Sequence, residues 1–200
     1  MVYEVIGQLP IATQIELLKV CRAVVAKAPL VQKTMPNGSK FNYLCTSAGE
    51  YGWLSDRKGY RYETIHPTTQ QPFPAIPKLI YDVAVDAATH CGLSLRPESA
   101  LINWYGADGT LGLHQDKTEK CDAPVISISI GDDCQFIKGG EKRNSPKETI
   151  TLHSGDVFVM GGVARFYYHG VKKIIPNTAP VELQMKQAGR VNITIRQVNP

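Results

Sequence analysis

The chain has 200 residues, of which 43% are apolar and 20% are charged, a balance that is ordinary for a soluble globular protein with one sizeable core. It has neither an apolar run of the roughly 20 residues that span a bilayer nor a basic and then apolar leader at its N-terminus, so we expect a cytoplasmic protein without a membrane partner. A net charge of +4 permits contact with a polyanion without requiring it, and five scattered cysteines without a CxxC pair argue against a disulfide framework or a zinc site.

Two helices are predicted in the first half of the chain. Apolar residues recur at steps of three and four over residues 9–28, with Thr13 as the expected N-cap. A strand is expected over residues 41–45, after an Asn-Gly turn signal. The second helical pattern covers residues 80–91 and precedes a glycine.

Residues 47–77 join the predicted strand to the second helix and are rich in aromatic residues and proline. A surface loop whose rings anchor it to the core would have this composition. The alternative is a lid whose rings stack on a flat ligand, while Arg57, Lys58 and Arg61 meet phosphate groups. The sequence alone leaves both interpretations open.

Short apolar runs separated by turn residues fill the second half of the chain. The run Val125-Ile126-Ser127-Ile128-Ser129-Ile130 alternates with the period of a half-buried strand. Two helices followed by about eight strands predict an α+β protein whose core is a double-sheet jelly roll. The expected strands are residues 99–105, 124–130, 134–137, 149–152, 157–160, 164–169 and 190–196.

A histidine and a carboxylate two positions apart follow the strand at 99–105. In an extended strand His114 and Asp116 project from the same face, so both can bind one ion. A further histidine completes the facial triad that holds non-haem Fe(II) with positions left open for substrate and oxygen. His169 lies far downstream, and a jelly roll can bring two such strands together at one mouth. Taken singly, the HxD pair is common by composition and His169 is an ordinary surface or core histidine.

The last predicted strand carries polar and apolar residues in strict alternation. Arg190, Asn192, Thr194 and Arg196 share one face, and the other face is apolar. A solvated edge strand has this pattern. The same pattern is expected of a strand whose arginines bind a dicarboxylate through bidentate hydrogen bonds. A triad iron needs an electron-donating co-substrate, and 2-oxoglutarate is a dicarboxylate of this kind.

In their order along the chain, these motifs resemble the AlkB family of Fe(II)/2-oxoglutarate dioxygenases. The resemblance covers most of the chain, and the C-terminal RxNxTxR pattern makes it specific. The matching segments are Gly52-Trp53, Gly59-Tyr60, Pro72-x-Pro74-Ala75-x-Pro77, Asn103-x-Tyr105, His114-x-Asp116, Lys142-Arg143-Asn144, Ser154-Gly155-Asp156-Val157, Gly161-Gly162-x-x-Arg165, Tyr168-His169-Gly170 and Arg190-x-Asn192-x-Thr194-x-Arg196.

The resemblance implies a double-stranded β-helix that holds Fe(II), with 2-oxoglutarate and O2 as co-substrates. It places iron on His114, Asp116 and His169. It places Arg190 on one carboxylate of 2-oxoglutarate, with Arg196 close to the site. Further contacts to the co-substrate are expected from Asn103, Tyr105 and Asn192.

For the substrate, the resemblance implies a flexible lid that holds a nucleotide. Trp53, Tyr60 and Arg143 match positions that handle the substrate in nucleic-acid demethylases. The sequence departs from the repair enzymes two places after the metal aspartate, where Thr118 replaces an acidic residue and Glu119 stands beside it. This departure leaves the preferred base open.

The implied activity is oxidative demethylation of N-alkylated bases in single-stranded or locally opened DNA or RNA, by a monomer, as in the repair of alkylation damage. We expect one domain over residues 1–200, with N-terminal helices and the lid in 1–97 and the jelly-roll catalytic core in 98–200. One alternative is a dioxygenase of the same family that acts on a protein or a small molecule. The other is a non-catalytic nucleic-acid-binding domain, against which the intact triad and both arginines argue.

Overall fold

In the computed structural model, which describes residues 1–200, the chain forms two α-helices and twelve strands. The helices are α1 (Ile11–Lys27) and α2 (Lys78–His90). The strands are β1 (Val2–Gln8), β2 (Leu44–Gly49), β3 (Gly52–Asp56), β4 (Gly59–Glu63), β5 (Ser99–Gly106), β6 (Leu111–His114), β7 (Val125–Gly131), β8 (Asp133–Lys138), β9 (Glu148–Leu152), β10 (Asp156–Gly161), β11 (His169–Ile175) and β12 (Gly189–Arg196).

Two antiparallel sheets and a separate hairpin account for all the strands. The larger sheet has the order β1-β10-β7-β12-β5-β2, the smaller sheet has the order β6-β11-β8-β9, and β3 pairs only with β4. The predicted α+β jelly-roll class is therefore confirmed. The first third of the chain contributes β1 and β2 to the larger sheet, one at each edge.

The two helices cover the outer face of the larger sheet. Leu17 and Leu18 of α1 and Ile80 of α2 share one buried cluster with isoleucines of the central strands, such as Ile128 and Ile193. Burial of large aliphatic side chains of this kind stabilises the fold by roughly 1.5–3 kcal/mol each. Neither helix has the length and apolar character that crossing a bilayer requires.

A second buried cluster lies between the two sheets. Phe136 of β8 packs against Phe158 of β10 with a centroid distance of 5.1 Å, and Val171 of β11 and Met160 of β10 belong to the same cluster. The central strands of the larger sheet are thus buried on both faces, which explains why all eight residues of β12 are buried.

The alternating polar residues of β12 do not mark a solvated edge. This strand lies between β7 and β5, near the middle of the larger sheet. Val191, Ile193 and Ile195 point to the helices, and by alternation Arg190 and Arg196 point between the sheets. The edge-strand interpretation of this segment is wrong.

Four local predictions are corrected by the structure. Helix α1 begins at Ile11 directly after Pro10, without a side-chain cap, so Thr13 is not the N-cap. The strand predicted over residues 41–45 starts later, as β2, and β1 was not predicted. Residues 47–77 are not a simple loop, because they contain the β3–β4 hairpin. Residues 162–166 form a 3-10 helix, so the strand predicted over 164–169 begins only at His169.

Candidate metal centre and co-substrate pocket

A cavity of about 170 Å³ lies between the two sheets and under the β3–β4 hairpin. Its walls combine aromatic rings of the hairpin with polar side chains of β5, β6, β11 and β12. Ten of the eleven predicted site residues line it: Trp53, Tyr60, Asn103, Tyr105, His114, Asp116, His169, Arg190, Asn192 and Arg196. The eleventh, Arg143, lies outside this lining.

The two histidines are brought together by strand pairing. His114 on β6 is the direct antiparallel partner of His169 on β11, and their ring centroids are 4.3 Å apart. Gly170 makes this pairing possible, because a Cβ at this position would lie 2.7 Å from the carbonyl oxygen of Leu111. The glycine of the Tyr-His-Gly motif therefore sets the spacing of the two strands.

Asp116 completes a cluster of three potential metal ligands. One ligand atom from each of His114, Asp116 and His169 lies within 4.8 Å of the others, and Asp116 Oδ1 is 3.6 Å from His114 Nε2. Strand β6 ends at His114, so Asp116 reaches the cluster from the following loop and not from the strand face that the spacing predicted. Two imidazoles and one carboxylate form the donor set typical of non-haem Fe(II).

Both histidines are oriented by their own backbones. The Nδ1–H of His114 donates to the carbonyl of Gly112, and that of His169 donates to the carbonyl of Tyr167, each over 3.0 Å. This bond places the proton on Nδ1 and leaves the Nε2 lone pair free for a metal. Burial, reinforced by His114, lowers the pKa of His169 to about 4, so this imidazole is neutral near pH 7 and able to ligate.

Asp116 is gripped by an arginine of the last strand. Arg196 Nε and Nη2 both donate to Asp116 Oδ2, over 3.2 and 2.8 Å, and both residues are buried. Burial alone raises the pKa of a carboxyl, but the Arg196 guanidinium and the two histidines hold the pKa of Asp116 well below its usual range. Asp116 is therefore an anion with Oδ1 directed toward His114.

Arg190 differs from Arg196 because most of its hydrogen-bonding capacity is unused. Its side chain is fully buried, Nη2 donates to Ser129 Oγ over 2.8 Å, and Nε and Nη1 have no partner. The guanidinium lies 5.6 Å from the ring centroid of Tyr105, its direct partner on β5. A buried guanidinium with two free donors fits a bidentate carboxylate of a co-substrate.

Two paired asparagines form the wall next to Arg190. Asn103 Nδ2 donates to Asn192 Oδ1 over 3.2 Å, and Thr194 Oγ1 donates to the same oxygen over 2.9 Å. Asn192 Nδ2 donates to Ser127 Oγ, whereas Asn103 Oδ1 has no partner. The network fixes Asn192 and leaves an acceptor on Asn103 for a ligand.

Aromatic residues of the β3–β4 hairpin form the outer wall of the cavity. Trp53 and Tyr60 stack at a centroid distance of 5.7 Å and an angle of 14°. Phe41 packs edge-on against Trp53, and the Lys33 ammonium lies 4.9 Å from the indole centroid. Tyr60 is half-exposed at the rim of the cavity.

Arg143 and Thr118 occupy different places around the cavity. Arg143 is exposed, donates to the carbonyl of Leu113 over 3.0 Å and lies 5.8 Å from the Tyr168 ring centroid. It therefore borders the strand that ends in His114. Thr118 lines the cavity itself, as does Glu119.

Three residues near the cluster were not predicted to belong to the site: Tyr62, Glu119 and Arg165. Glu119 and Arg165 form a buried ion pair of 2.8 Å, and Tyr62 donates to Glu119. Arg165 stands within the Gly161-Gly162-x-x-Arg165 match, and Glu119 was noted only beside Thr118. The charged residues of the loop after His114 do not by themselves show which residues they contact. The partners of Glu119 are Arg165 and Tyr62, and both are distant from it in sequence.

Comparisons with known proteins agree with this geometry. A family model for the 2OG-Fe(II) oxygenase superfamily matches residues 7–196. The alpha-ketoglutarate-dependent dioxygenase AlkB of Escherichia coli (strain K12) is 36% identical over 184 residues, which cover 91% of this chain and 83% of that protein. The tRNA demethylase abh1 of Schizosaccharomyces pombe is 33% identical over 159 residues, which cover 74% of this chain and 53% of that protein.

A solved structure extends the comparison to the fold. The structure of OsALKBH1 superposes with a TM-score of 0.83 at 28% identity and covers 94% of both chains. The superfamily uses Fe(II) as its metal and 2-oxoglutarate and O2 as co-substrates, and the two histidines and one aspartate of the cavity are a suitable donor set for this metal. The chain therefore belongs to the 2OG-Fe(II) oxygenase superfamily, and within it to the AlkB family of Fe(II)/2-oxoglutarate-dependent dioxygenases.

Proposed function

We propose that this dioxygenase removes alkyl groups oxidatively from N-alkylated bases in single-stranded or locally opened DNA or RNA. The observation that carries the proposal is the convergence of His114, Asp116 and His169 in one cavity whose outer wall is made of aromatic rings. The relative in Schizosaccharomyces pombe is a tRNA demethylase, which supports a nucleic-acid substrate.

His114, Asp116 and His169 are the proposed iron ligands. Their Nε2 and carboxylate atoms face one another, and the backbone bonds on Nδ1 fix both rings. Arg196 positions the carboxylate of Asp116 through two hydrogen bonds, so it would act on the iron only through this ligand.

Arg190 is the proposed anchor for 2-oxoglutarate. Its Nε and Nη1 atoms are buried donors without a partner, and a carboxylate of the co-substrate would accept hydrogen bonds from both. Asn103, with its free acceptor, Asn192 and Tyr105 form the surrounding wall and are the proposed further contacts.

Fe(II) held by His114, Asp116 and His169 would couple oxidation of 2-oxoglutarate by O2 to succinate and CO2 with hydroxylation of an N-alkyl carbon, and the hemiaminal would release an aldehyde and the restored base. The protein has to hold the base with this carbon close to His114, Asp116 and His169. The buried walls exclude water from the reacting atoms, and the neutral imidazole of His169 remains available as a ligand.

The base has to leave its stack to reach this cavity. Trp53 and Tyr60 are the proposed stacking surface for it, because both rings line the cavity at its outer wall. Arg143 is the proposed contact to the nucleic-acid backbone, since it is exposed beside the strand that ends in His114.

The proposed organisation is one domain that acts as a monomer in the cytoplasm, with a lid and helices before residue 98 and the catalytic core after it. Five cysteines without a disulfide are compatible with a reducing compartment. The hairpin β3–β4 pairs with neither main sheet, which supports its assignment to the lid.

The test is a screen of methylated DNA and RNA oligonucleotides by mass spectrometry, with Fe(II), 2-oxoglutarate and O2. We expect loss of a methyl group together with formation of succinate. Asp116→Ala should abolish most turnover and weaken iron binding, because it removes the only anionic ligand. Asp86→Ala, on the exposed face of α2, is the matched control and should behave like the wild type.

Two results would contradict the proposal. Succinate formation without demethylation of any oligonucleotide would favour a protein or small-molecule substrate. Unchanged iron affinity in Asp116→Ala would remove Asp116 from the metal site.

A further inference from the structure

A buried network of charges joins the β3–β4 hairpin to the cluster of potential metal ligands. Its centre is Glu119, whose side chain is 3% exposed and is paired with Arg165 at 2.8 Å and with Arg196 at 3.5 Å. The Tyr62 hydroxyl, from β4, donates to Glu119 Oε1. These three contacts hold the Glu119 carboxylate in place. The carboxylate in turn restrains its three partners.

The same two arginines hold Asp116. Arg196 donates twice to its carboxylate, and Arg165 Nη1 donates to its backbone carbonyl over 2.9 Å. Glu119 balances both guanidiniums. The side chain and the main chain of Asp116 therefore depend on cations whose positions depend on Glu119.

Tyr62 is the only member of the network that belongs to the hairpin. Arg165 lies in the 3-10 helix after β10, Arg196 ends β12, and Asp116 and Glu119 lie in the loop after β6. The hairpin pairs with no strand of either sheet. The hydroxyl of Tyr62 is thus a direct polar link between the hairpin and the carboxylate of Glu119.

Tyr62 is also linked to the stacking surface. It is the direct partner of Trp53 in the hairpin, and directly opposed residues of an antiparallel pair point to the same face. Tyr60, two positions away on β4, points to that face as well. A movement of the hairpin that admits a base next to Trp53 therefore displaces Tyr62 at the same time.

We propose that Tyr62 and Glu119 are positioning residues that couple occupancy of the base pocket to the orientation of Asp116. The coupling passes from the Tyr62 hydroxyl through Glu119 and Arg196 to the Asp116 carboxylate. It rests on the proposed function, because it takes Asp116 as an iron ligand and the hairpin as the lid. Coupling of this kind is reciprocal, so a bound metal must in turn alter affinity for the oligonucleotide.

Tyr62→Phe tests this proposal, because it removes only the hydroxyl. Affinity for a methylated oligonucleotide is measured by fluorescence anisotropy with 2-oxoglutarate, with and without Mn(II) as an oxygen-inert substitute for Fe(II). In the wild type we expect Mn(II) to change the affinity by about fivefold or more, and in Tyr62→Phe by less than about twofold. Tyr81→Phe, on the exposed side of α2, is the matched control and should keep the wild-type factor.

A second readout separates positioning from a merely structural role. Tyr62→Phe should form more succinate per demethylated base than the wild type, since an uncoupled site consumes co-substrate without product. Glu119→Gln should give the same two changes and serves as an independent variant.

Equal metal-dependent factors in the wild type and Tyr62→Phe would overturn the proposal, and so would the absence of any metal effect in the wild type. Neither result touches the proposed function, which is decided by whether wild-type enzyme demethylates oligonucleotides at all.

Discussion

Arg190 and Arg196 stand on one face of β12 but have different partners. Arg196 is bonded to Asp116, whereas Arg190 keeps two of its donors free beneath the cavity. The sequence pattern predicted both guanidiniums on one face, and it could not assign their partners. Their roles depend on which residue each one meets across the fold: Asp116 for one and Ser129 of β7 for the other.

The first prediction concerns Arg190. Arg190→Lys keeps the positive charge but loses the planar fork, so affinity for 2-oxoglutarate should fall. A charge-assisted hydrogen bond contributes roughly 1.5–3 kcal/mol, which corresponds to about ten- to a hundredfold in affinity. The measurement is isothermal titration with Mn(II) present, and Arg22→Lys on the exposed side of α1 is the control. An unchanged affinity would exclude the assignment.

At the scale of elements, the hairpin β3–β4 forms the outer wall of the cavity. Tyr60 is stacked on the Trp53 ring, and the Lys33 ammonium lies over the same ring. Lys33 Nζ also donates to the carbonyl of Trp53, which restrains the main chain that carries the indole. The half-exposed Tyr60 is less constrained than the indole, so it can adjust its position when a base stacks beside Trp53.

The second prediction follows from this arrangement. Trp53→Ala removes a stacking surface worth about 1–3 kcal/mol per base, so oligonucleotide turnover should fall about five- to a hundredfold. Conversion of 2-oxoglutarate to succinate without oligonucleotide should stay near the wild-type rate, because Trp53 stands on the hairpin wall of the cavity, whereas Arg190 stands on β12 in the opposite sheet wall. Equal loss of both reactions would identify Trp53 as a core residue, and full retention of both would remove it from the site.

The elements that sequence predicts best are those whose pattern is local. The alternation of β7 and β12 and the periodicity of α1 and α2 are carried by neighbouring residues, and all four elements are present. The hairpin β3–β4 was missed because the surrounding prolines and aromatic residues suggested a loop. Residues 164–166 were assigned to the strand predicted over 164–169, because a short run with aromatic residues does not distinguish a 3-10 helix from a strand.

The site shows the same limit. The HxD spacing predicted a shared metal ligand set, but β6 ends at His114 and Asp116 is fixed by Arg196, 80 positions away in sequence. The Glu119–Arg165 ion pair spans 46 positions and the Tyr62–Glu119 contact spans 57. No periodicity encodes such pairs, because they depend on how the loop after β6 meets the end of β12, the 3-10 helix after β10 and the β3–β4 hairpin.

At the scale of the whole molecule, the packed interior lowers the pKa of two histidines, His66 and His169. Burial lowers the pKa of His66, whose Nε2 donates to the carbonyl of Pro29 while Nδ1 accepts from the backbone N–H groups of Thr68 and Thr69. His169 is buried between the sheets, with a pKa of about 4. Protonation of either ring would place a cation where only a neutral imidazole is accommodated.

The third prediction is therefore a loss of stability in acid for the iron-free protein. When the pKa of a histidine is lower in the folded state, the unfolded state binds protons first as pH falls below about 6.5, and stability declines until the folded pKa is reached. For His169 the window runs from about pH 6.5 down to about 4, and His66 acts in the same direction. Between pH 7 and pH 5 we expect His169 alone to lower the free energy of unfolding by about 2 kcal/mol.

Urea unfolding of the iron-free protein at the two pH values measures this loss. His169→Gln should unfold with a much smaller difference between pH 7 and pH 5, and His66→Gln with a moderately smaller one, because each variant removes one group that titrates on unfolding. His90→Gln, at the exposed end of α2, should keep the full difference. If His169→Gln lost as much stability in acid as the wild type does, the buried neutral imidazole between the sheets would not be the group that sets the acid limit of the fold.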